Sequence, residues 1–248
     1  MNNLSQFTKH FLGASAIGTC LLLGATNTAH AASLYFGEDD PDAGTNFAGK
    51  AELDFLSNFI AADTEDFEDF DAGTTSPLTL EIGGNEAELV GGGAVRDDDF
   101  EGLHAISGEK YWSLTFGELD QDTYTIAFDT AQSAVGFYAT DMGDAGVNDF
   151  KLKFFFEDGT TAIENIPHTQ SADANAYELF FGYINPDLSF TQIEFLANGP
   201  IPEDGFGLDD ITIGRREQLR ASVPEPTSTL ALFGVAAIGL FWRNKRRV

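Results

Sequence analysis

Alternation of apolar and polar residues dominates the middle of this chain and predicts β-strands. Segments with this two-residue period, or rich in β-branched and aromatic residues, occur at 78–82, 87–90, 111–116, 123–128, 134–140, 150–157, 161–166, 177–184, 192–197 and 208–213. Turn residues separate them, and Glu157-Asp158-Gly159-Thr160 is typical of a β-hairpin. Short strands at this spacing, without helices between them, predict an all-β fold: an antiparallel two-sheet β-sandwich of jelly-roll type.

One segment has the period of a helix instead. Between positions 46 and 62, apolar residues recur at steps of three and four: Phe47, Ala51, Phe55, Phe59 and Ala62. This spacing predicts a short N-terminal amphipathic helix that packs across one end of the sandwich. Within the strands, we expect alternate residues to fill the space between the sheets, among them Ile126, Phe128, Leu152, Phe154 and Phe156.

The first 31 residues have the pattern of a signal peptide. Lys9 precedes an apolar stretch at 11–25, and Ala29-His30-Ala31 predicts cleavage between Ala31 and Ala32. The only cysteine, Cys20, lies inside this segment, so the mature chain cannot form a disulfide. Lipoprotein anchoring at Cys20 is an alternative, although the residues before it fit a lipobox poorly.

The other end of the chain predicts a membrane anchor. The apolar run at 227–242 would span about 24 Å as a helix at roughly 1.5 Å per residue, a short but feasible transmembrane helix. A cytoplasmic basic stop follows it, formed by Arg243, Lys245, Arg246 and Arg247. By the positive-inside rule the C-terminus is then cytoplasmic and everything upstream is exported.

A short motif precedes this apolar run: Val223, Pro224, Glu225 and Pro226. Motif, apolar segment and basic end together resemble the PEP-CTERM tail. The resemblance implies recognition by an exosortase in the inner membrane, tethering through the tail and processing near the motif. It also implies delivery to the cell surface or exopolysaccharide matrix of a Gram-negative-type bacterium. A permanent tail anchor is the alternative.

The predicted organisation is therefore a signal peptide (1–31), an acidic β-sandwich domain (32–214), a linker (215–222) and a sorting tail (223–248). Segments 64–74, 136–144 and 204–214 are also similar to three hallmarks of an all-β subgroup of PEP-CTERM exoproteins, the first of them its opening strand. That similarity implies a destination and not an activity.

Charge narrows the choice of partners. Positions 32–214 carry 38 acidic residues and five cationic ones, a net charge of −33. Such a domain repels nucleic acid and anionic membranes, which excludes them as general partners. Most of these acids are expected to be solvated, as in the run at 97–99, but carboxylates near strand ends can also bind cations.

One pair of acidic segments is a candidate calcium site. Related jelly-roll carbohydrate-binding modules often hold a structural Ca²⁺ where an opening acidic strand meets a closing Asp-Asp strand. Here Glu68 and Asp210 are the candidate ligands, with Asp66 and Asp209 as alternates. The alternative is that the inward carboxylate only accepts hydrogen bonds from backbone amides and fixes the strand in place.

Catalytic motifs do not emerge from the sequence. The segment 32–214 has two histidines and lacks the zinc-protease, nucleophile-elbow and P-loop motifs. His104 near Ser107 is weak evidence for a hydrolase. We therefore expect no enzyme activity and a surface or biofilm-matrix role, with signal peptidase, exosortase and exopolysaccharide as partners. A carbohydrate-binding module with a structural calcium and a glycan-active hydrolase are the two alternatives.

Overall fold

The computed structural model describes residues 32–40, 43–115, 124–142, 149–168, 177–198 and 205–220. Their order of elements is β1 (Ser33–Asp39), α1 (Phe47–Leu56), β2 (Asp63–Glu65), β3 (Leu78–Ile82), β4 (Asn85–Val90), β5 (Ala94–Arg96), β6 (Tyr111–Thr115), β7 (Tyr124–Gln132), β8 (Ala134–Thr140), β9 (Asp149–Phe156), β10 (Thr161–Ile166), β11 (Glu178–Ile184), β12 (Phe190–Asn198) and β13 (Gly205–Gly214). A short 3₁₀ helix follows at Arg216–Gln218. No helix within these ranges has the length and apolarity to cross a membrane. The predicted signal peptide and transmembrane helix lie outside the described residues.

The strands form two antiparallel sheets. The first sheet has the order β1-β11-β8-β13-β6-β5, and β2 also pairs with β13; the second has the order β10-β9-β12-β7-β4-β3. The predicted Asp-Gly hairpin joins β9 to β10, where the Asp158 carboxylate accepts a hydrogen bond from the Thr160 amide at 2.9 Å. The prediction of a mostly β, antiparallel two-sheet sandwich is confirmed.

The main core lies between the two sheets. All five side chains expected to fill this space are buried: Ile126, Phe128, Leu152, Phe154 and Phe156. The Phe154 ring of the second sheet stacks on the Tyr183 ring of the first, with 4.0 Å between their centroids. Phenylalanine is thus used mainly as core filler, which holds the sheets together by burial of apolar surface.

A second, smaller core lies on the outer face of the first sheet, under α1. Phe55 is completely buried there and its ring contacts those of Tyr35, Phe59 and Phe180. Gly182 leaves room for this ring, because a Cβ at that position would lie 2.7 Å from a Phe55 ring atom. The expected helix therefore exists, but it covers a sheet face, against β1, β8 and β11, and not one end of the sandwich.

The helix is also shorter than its apolar pattern predicts. It begins at Phe47, where the Asp39 carboxylate accepts hydrogen bonds from the amides of Phe47 and Ala48 at 2.8 and 2.7 Å. Such side-chain acceptors satisfy amides that a helix leaves unpaired at its start. Beyond Leu56 the chain leaves the helix, and Phe59 packs into the second core from an isolated bridge with Leu219.

The predicted acidic opening strand is mostly wrong. Only Asp63–Glu65 forms a strand, and the chain then turns at Phe67, whose φ is 60°. The Glu65 carboxylate accepts a hydrogen bond from the Phe67 amide at 2.8 Å, which closes a local turn in competition with strand pairing. The turn directs the Phe67 ring into the main core, where it stacks on Trp112. The strands β1 and β5 were not predicted.

Candidate functional site

An acidic cluster lies on the outer face of the first sheet, beside α1. Asp209 of β13 faces Tyr138 of β8 in the strand register, and Tyr138 faces Phe180 of β11. The Tyr138 hydroxyl donates a hydrogen bond to the Glu52 carboxylate on α1 at 2.9 Å. A row of side chains thus crosses three strands and ends against the helix, with carboxylates at both ends.

Asp209 is almost completely buried in this cluster. One carboxylate oxygen accepts hydrogen bonds from the amides of Ile106 and Ser107 at 2.7 and 3.1 Å, and the other accepts one from the Asp210 amide at 2.8 Å. Backbone amides buried without a partner are costly, so these bonds stabilise the loop that covers the sheet here. The Asp209 carboxylate therefore holds the backbone of this loop in place, which is the role described by the alternative to calcium binding.

Asp210 contacts the same loop from the next position. The strand pairing shifts register between Asp209 and Thr212, and Asp210 has a φ of 48°. Its carboxylate accepts a hydrogen bond from the Ser107 hydroxyl at 2.7 Å. Both aspartates contact Ser107 and so lie on the same side of β13, whereas regular strand alternation predicts opposite sides.

Glu68 holds the other end of this loop. Its carboxylate accepts hydrogen bonds from the amides of Glu109 and Lys110 at 2.6 and 2.7 Å. The Lys110 ammonium in turn donates to the backbone carbonyl oxygens of Glu68 and Phe70 at 2.8 and 2.7 Å. The two acidic segments noted in the sequence therefore do meet, but through backbone amides of residues 106–110. We name Glu68, Asp209 and Asp210 the acidic clamp.

Burial and mutual repulsion affect the protonation of the two clamp aspartates. Burial, followed by the neighbouring Asp210 charge, raises the pKa of Asp209 to about 7, although three backbone amides oppose the rise. Burial also raises the pKa of Asp210, with contributions from Glu52 and Asp66. Burial and the Glu52 carboxylate raise the pKa of Tyr138. Burial and like charge therefore favour the neutral forms of these three side chains.

The calcium site gains no support from this geometry. Among the described residues, no three acidic, histidine or cysteine side chains converge in an arrangement that could hold a metal ion. Both oxygens of Asp209 and one of Glu68 already bind backbone amides, and Asp66 accepts a hydrogen bond from the Glu68 amide at 3.2 Å. Calcium binding at these residues stays a prediction.

His104 and Ser107 contact different carboxylates. The His104 ring nitrogen Nε2 lies 3.3 Å from the Glu178 carboxylate, whereas the Ser107 hydroxyl donates to Asp210. No described hydrogen bond joins the histidine to the serine. In the described part of the chain, the two side chains therefore contact different acids.

A cleft lies at the β5 edge of the first sheet. It has a volume of about 410 Å³ and is lined by Ala72, Gly73, Gly93, Ala94, Val95, Arg96, Asp97, Asp98 and Ser113. The Arg96 guanidinium donates two hydrogen bonds to Asp98, at 2.8 and 2.9 Å, and lies 4.4 Å from the centroid of the Phe100 ring. Phe100 is 43% exposed. Asp98, in the run at 97–99 that was expected to be solvated, therefore pairs with an arginine that lies against a partly exposed ring.

The predicted linker begins with residues that are packed on the domain. The Ile60 amide donates to the Gln218 carbonyl and the Arg220 amide donates to the Asn58 carbonyl, both at 2.7 Å. The Arg220 side chain donates to the Phe59 carbonyl at 2.8 Å, and Leu219 is buried in the second core. The described part of the chain therefore ends at Arg220, packed next to the end of α1. The sorting motif and basic stop lie outside the described residues.

Comparison with known proteins identifies the tail. Residues 222–247 match the PEP-CTERM protein-sorting motif, so the chain carries this motif, which indicates an exported protein tethered by its C-terminal tail. The match covers the tail alone and leaves the sandwich unassigned. No curated protein matches the chain.

Solved structures give only distant similarities. One is the CBM22-1 xylan-binding domain from Paenibacillus barcinonensis Xyn10C, with 13% identity over 64% of this chain and 94% of that chain, and a TM-score of 0.35. Another is the C-terminal family 22 carbohydrate-binding module of Clostridium thermocellum Xyn10B, with 13% identity over 66% and 98% and the same TM-score. TM-scores this low do not establish a common fold, and the sandwich follows from the strand pairing alone.

Several members of the acidic cluster were not among the predicted site residues. Glu52, Ser107, Tyr138 and Glu178 carry no motif, but β8 gives a partial signal. All seven of its residues are buried, so both faces of this strand are covered. A polar tyrosine in such a strand must find a hydrogen-bond partner, and the predicted helix was the segment able to provide one.

Proposed function

We propose that this protein is an exported component of the cell surface or the extracellular, exopolysaccharide-based biofilm matrix, with a non-catalytic β-sandwich. The observation that carries the proposal is the sorting motif at 222–247, which begins two positions after the last described residue of an acidic domain. Signal peptidase releases the chain before Ala32. An exosortase then processes it at Val223-Pro224-Glu225-Pro226, after temporary tethering in the inner membrane with a cytoplasmic C-terminus.

The non-catalytic role is supported by how the described carboxylates are used. The acidic clamp is occupied with backbone amides of residues 106–110, and His104 and Ser107 contact separate acids. The remaining acidic surface suits a hydrated matrix, because strong net negative charge keeps a protein soluble and separate from other anionic molecules. A glycan-active hydrolase remains the weaker alternative, and it requires turnover of the host's exopolysaccharide.

The test uses tail variants expressed in the native host. A Pro224→Ala, Pro226→Ala double variant leaves the apolar segment and the basic stop intact. We expect it to accumulate in the inner membrane as unprocessed chain, while the native chain reaches the surface in a shorter form. A Pro186→Ala variant, which changes a proline far from the motif, controls for general effects of proline loss. Normal surface delivery of the double variant would refute exosortase sorting.

The cleft at the β5 edge favours glycan binding as the second candidate function. Sugar hydroxyls pair with carboxylate and guanidinium groups, and sugar rings stack on exposed aromatic faces such as that of Phe100. Connections from β6 to β9 that pass repeatedly between the sheets support a jelly-roll topology of the kind common in carbohydrate-binding modules. Saturable binding to a glycan array that Phe100→Ala abolishes would support this function. Equal binding by the native chain and the variant would exclude the Phe100 ring as a sugar platform.

A further inference from the structure

The face around the point where the chain leaves the domain combines exposed apolar and cationic side chains. The three most exposed large apolar side chains among the described residues are Ile60 (66%), Leu53 (66%) and Phe47 (59%), all on α1 or just after it. Ile60 bonds directly to the C-terminal segment through Gln218. We name Phe47, Leu53, Ile60, Arg216 and Arg220 the exit face.

Charge at the exit face differs from that of the rest of the domain. Arg215, Arg216 and Arg220 against Glu217 give the C-terminal segment a net charge of +2, whereas positions 32–214 carry −33. On α1, Lys50 and Asp54 form an ion pair with each other, and the Glu52 carboxylate accepts the hydrogen bond from the Tyr138 hydroxyl. Arg216 and Arg220 are exposed. Because exposed charges are screened beyond about 8 Å at physiological salt, the local sign determines what this face can contact.

The position of the tail limits how far this face can lie from a bilayer. Six residues separate Arg220 from the apolar run that starts at 227, and the seven steps between them reach at most about 25 Å when fully extended. A tether this short keeps the effective concentration of the face at the membrane high, so a weak contact is sufficient. Apolar side chains flanked by arginine are the usual composition of surfaces that lie on anionic lipid.

We propose that the exit face docks on the anionic lipid surface of the membrane in which the tail is anchored. Leu53 and Ile60 enter the headgroup region and Arg216 and Arg220 contact lipid phosphates. This inference rests on tail anchoring under the proposed function, and it gives the tethered domain a fixed orientation, with the β5 cleft and the second sheet left accessible. The general exclusion of anionic membranes, based on net charge, does not hold at this face.

The test places a fluorescent probe on the exit face of the chain without its signal peptide, residues 32–248. This form has no native cysteine, and single cysteines at Leu53→Cys or Ile60→Cys carry bimane. Ile163→Cys on β10 of the second sheet is the matched control, because Ile163 is 55% exposed. The chain is reconstituted in phosphatidylglycerol–phosphatidylcholine vesicles that contain lipids with a nitroxide near the headgroup. We expect loss of bimane fluorescence at positions 53 and 60 and none at 163.

Two further measurements make each outcome decisive. Quenching of Trp242 in the tail reports tail insertion independently, so its absence would overturn the anchoring and this inference together. If Trp242 is quenched but bimane at positions 53 and 60 behaves as it does at position 163, docking is overturned and tail anchoring is not. Arg216→Gln with Arg220→Gln, or pure phosphatidylcholine, should reduce the loss at 53 and 60. If the bimane fluorescence instead changes with the amount of protein per vesicle, and not with the nitroxide content of the lipid, the face contacts a second copy of the chain. That result would refute lipid docking.

Discussion

Replacing Asp209 by asparagine should remove the pH dependence that Asp209 gives to the free energy of unfolding. Asp209 is buried on the outer face of the first sheet, and burial with the Asp210 charge raises its pKa from an ordinary 3.8 to about 7. The folded state then binds a proton between these two values that the unfolded state has released. The free energy of unfolding therefore falls as pH rises through this window.

The magnitude follows from the pKa difference. At about 1.4 kcal/mol for each pKa unit, the rise corresponds to about 4 kcal/mol over the full window, of which about 3 kcal/mol lies above pH 5. Asparagine cannot ionise and has the same shape. We therefore expect Asp209→Asn to gain about 3 kcal/mol of stability relative to the native chain between pH 5 and pH 8, whatever its stability at pH 5.

The assay is urea unfolding of residues 32–220, monitored by circular dichroism from pH 5 to pH 8. Glu81→Gln, an exposed strand carboxylate, measures the effect of simply removing one negative charge. The three backbone amides bonded to Asp209 favour the ionised form and act against burial. If they dominate, Asp209 is ionised in both the folded and the unfolded state throughout this range. The native chain and Asp209→Asn will then show the same pH dependence, and that result would refute the assignment.

Three other predictions concern the packing, the clamp and calcium. Phe55→Ala should lower the free energy of unfolding in urea by about 3–5 kcal/mol. Gly182→Ala should also destabilise the domain, because its new Cβ would meet the Phe55 ring. An unchanged urea midpoint for either variant would contradict the second core. Ser107→Ala should cost about 1–3 kcal/mol by removing the hydrogen bond to Asp210, and the cost should disappear in an Asp210→Ala background if this bond is its cause. Calorimetric titration with Ca²⁺ tests the calcium prediction: a saturable signal abolished by Glu68→Gln would support the site, and the absence of binding heat would refute it.

The strands were largely predictable because burial imposes a strict two-residue period. For β3, β8 and β10 the predicted and observed limits agree. Of these, β3 shows the strict period, with Leu78, Leu80 and Ile82 buried between exposed residues, whereas all seven residues of β8 are buried. The strand β1 was missed because it is an edge strand with Leu34 and Phe36 exposed, and its sequence does not alternate clearly. Short β2 and β5 contain three residues each, too few to show a period.

The site was only partly predictable, since its geometry depends on a bulge and on a distant loop. The sequence indicated that Glu68 and the two closing aspartates belong together. It could not show that residues 106–110 lie between them, because that contact joins positions about one hundred residues apart through backbone amides, which leave no pattern in side-chain identity. The register shift after Asp209 likewise depends on tertiary pairing with β8.

The most direct test of the account is the intact mass of the protein recovered from the surface of its native host. Export with signal-peptide removal and sorting predicts a chain that starts at Ala32 and ends within or close to Val223-Pro224-Glu225-Pro226, without the apolar segment 227–242. A surface form that retains residues 227–248 would contradict processing and indicate a permanent anchor. A chain found only with residues 1–31 still attached would contradict export itself.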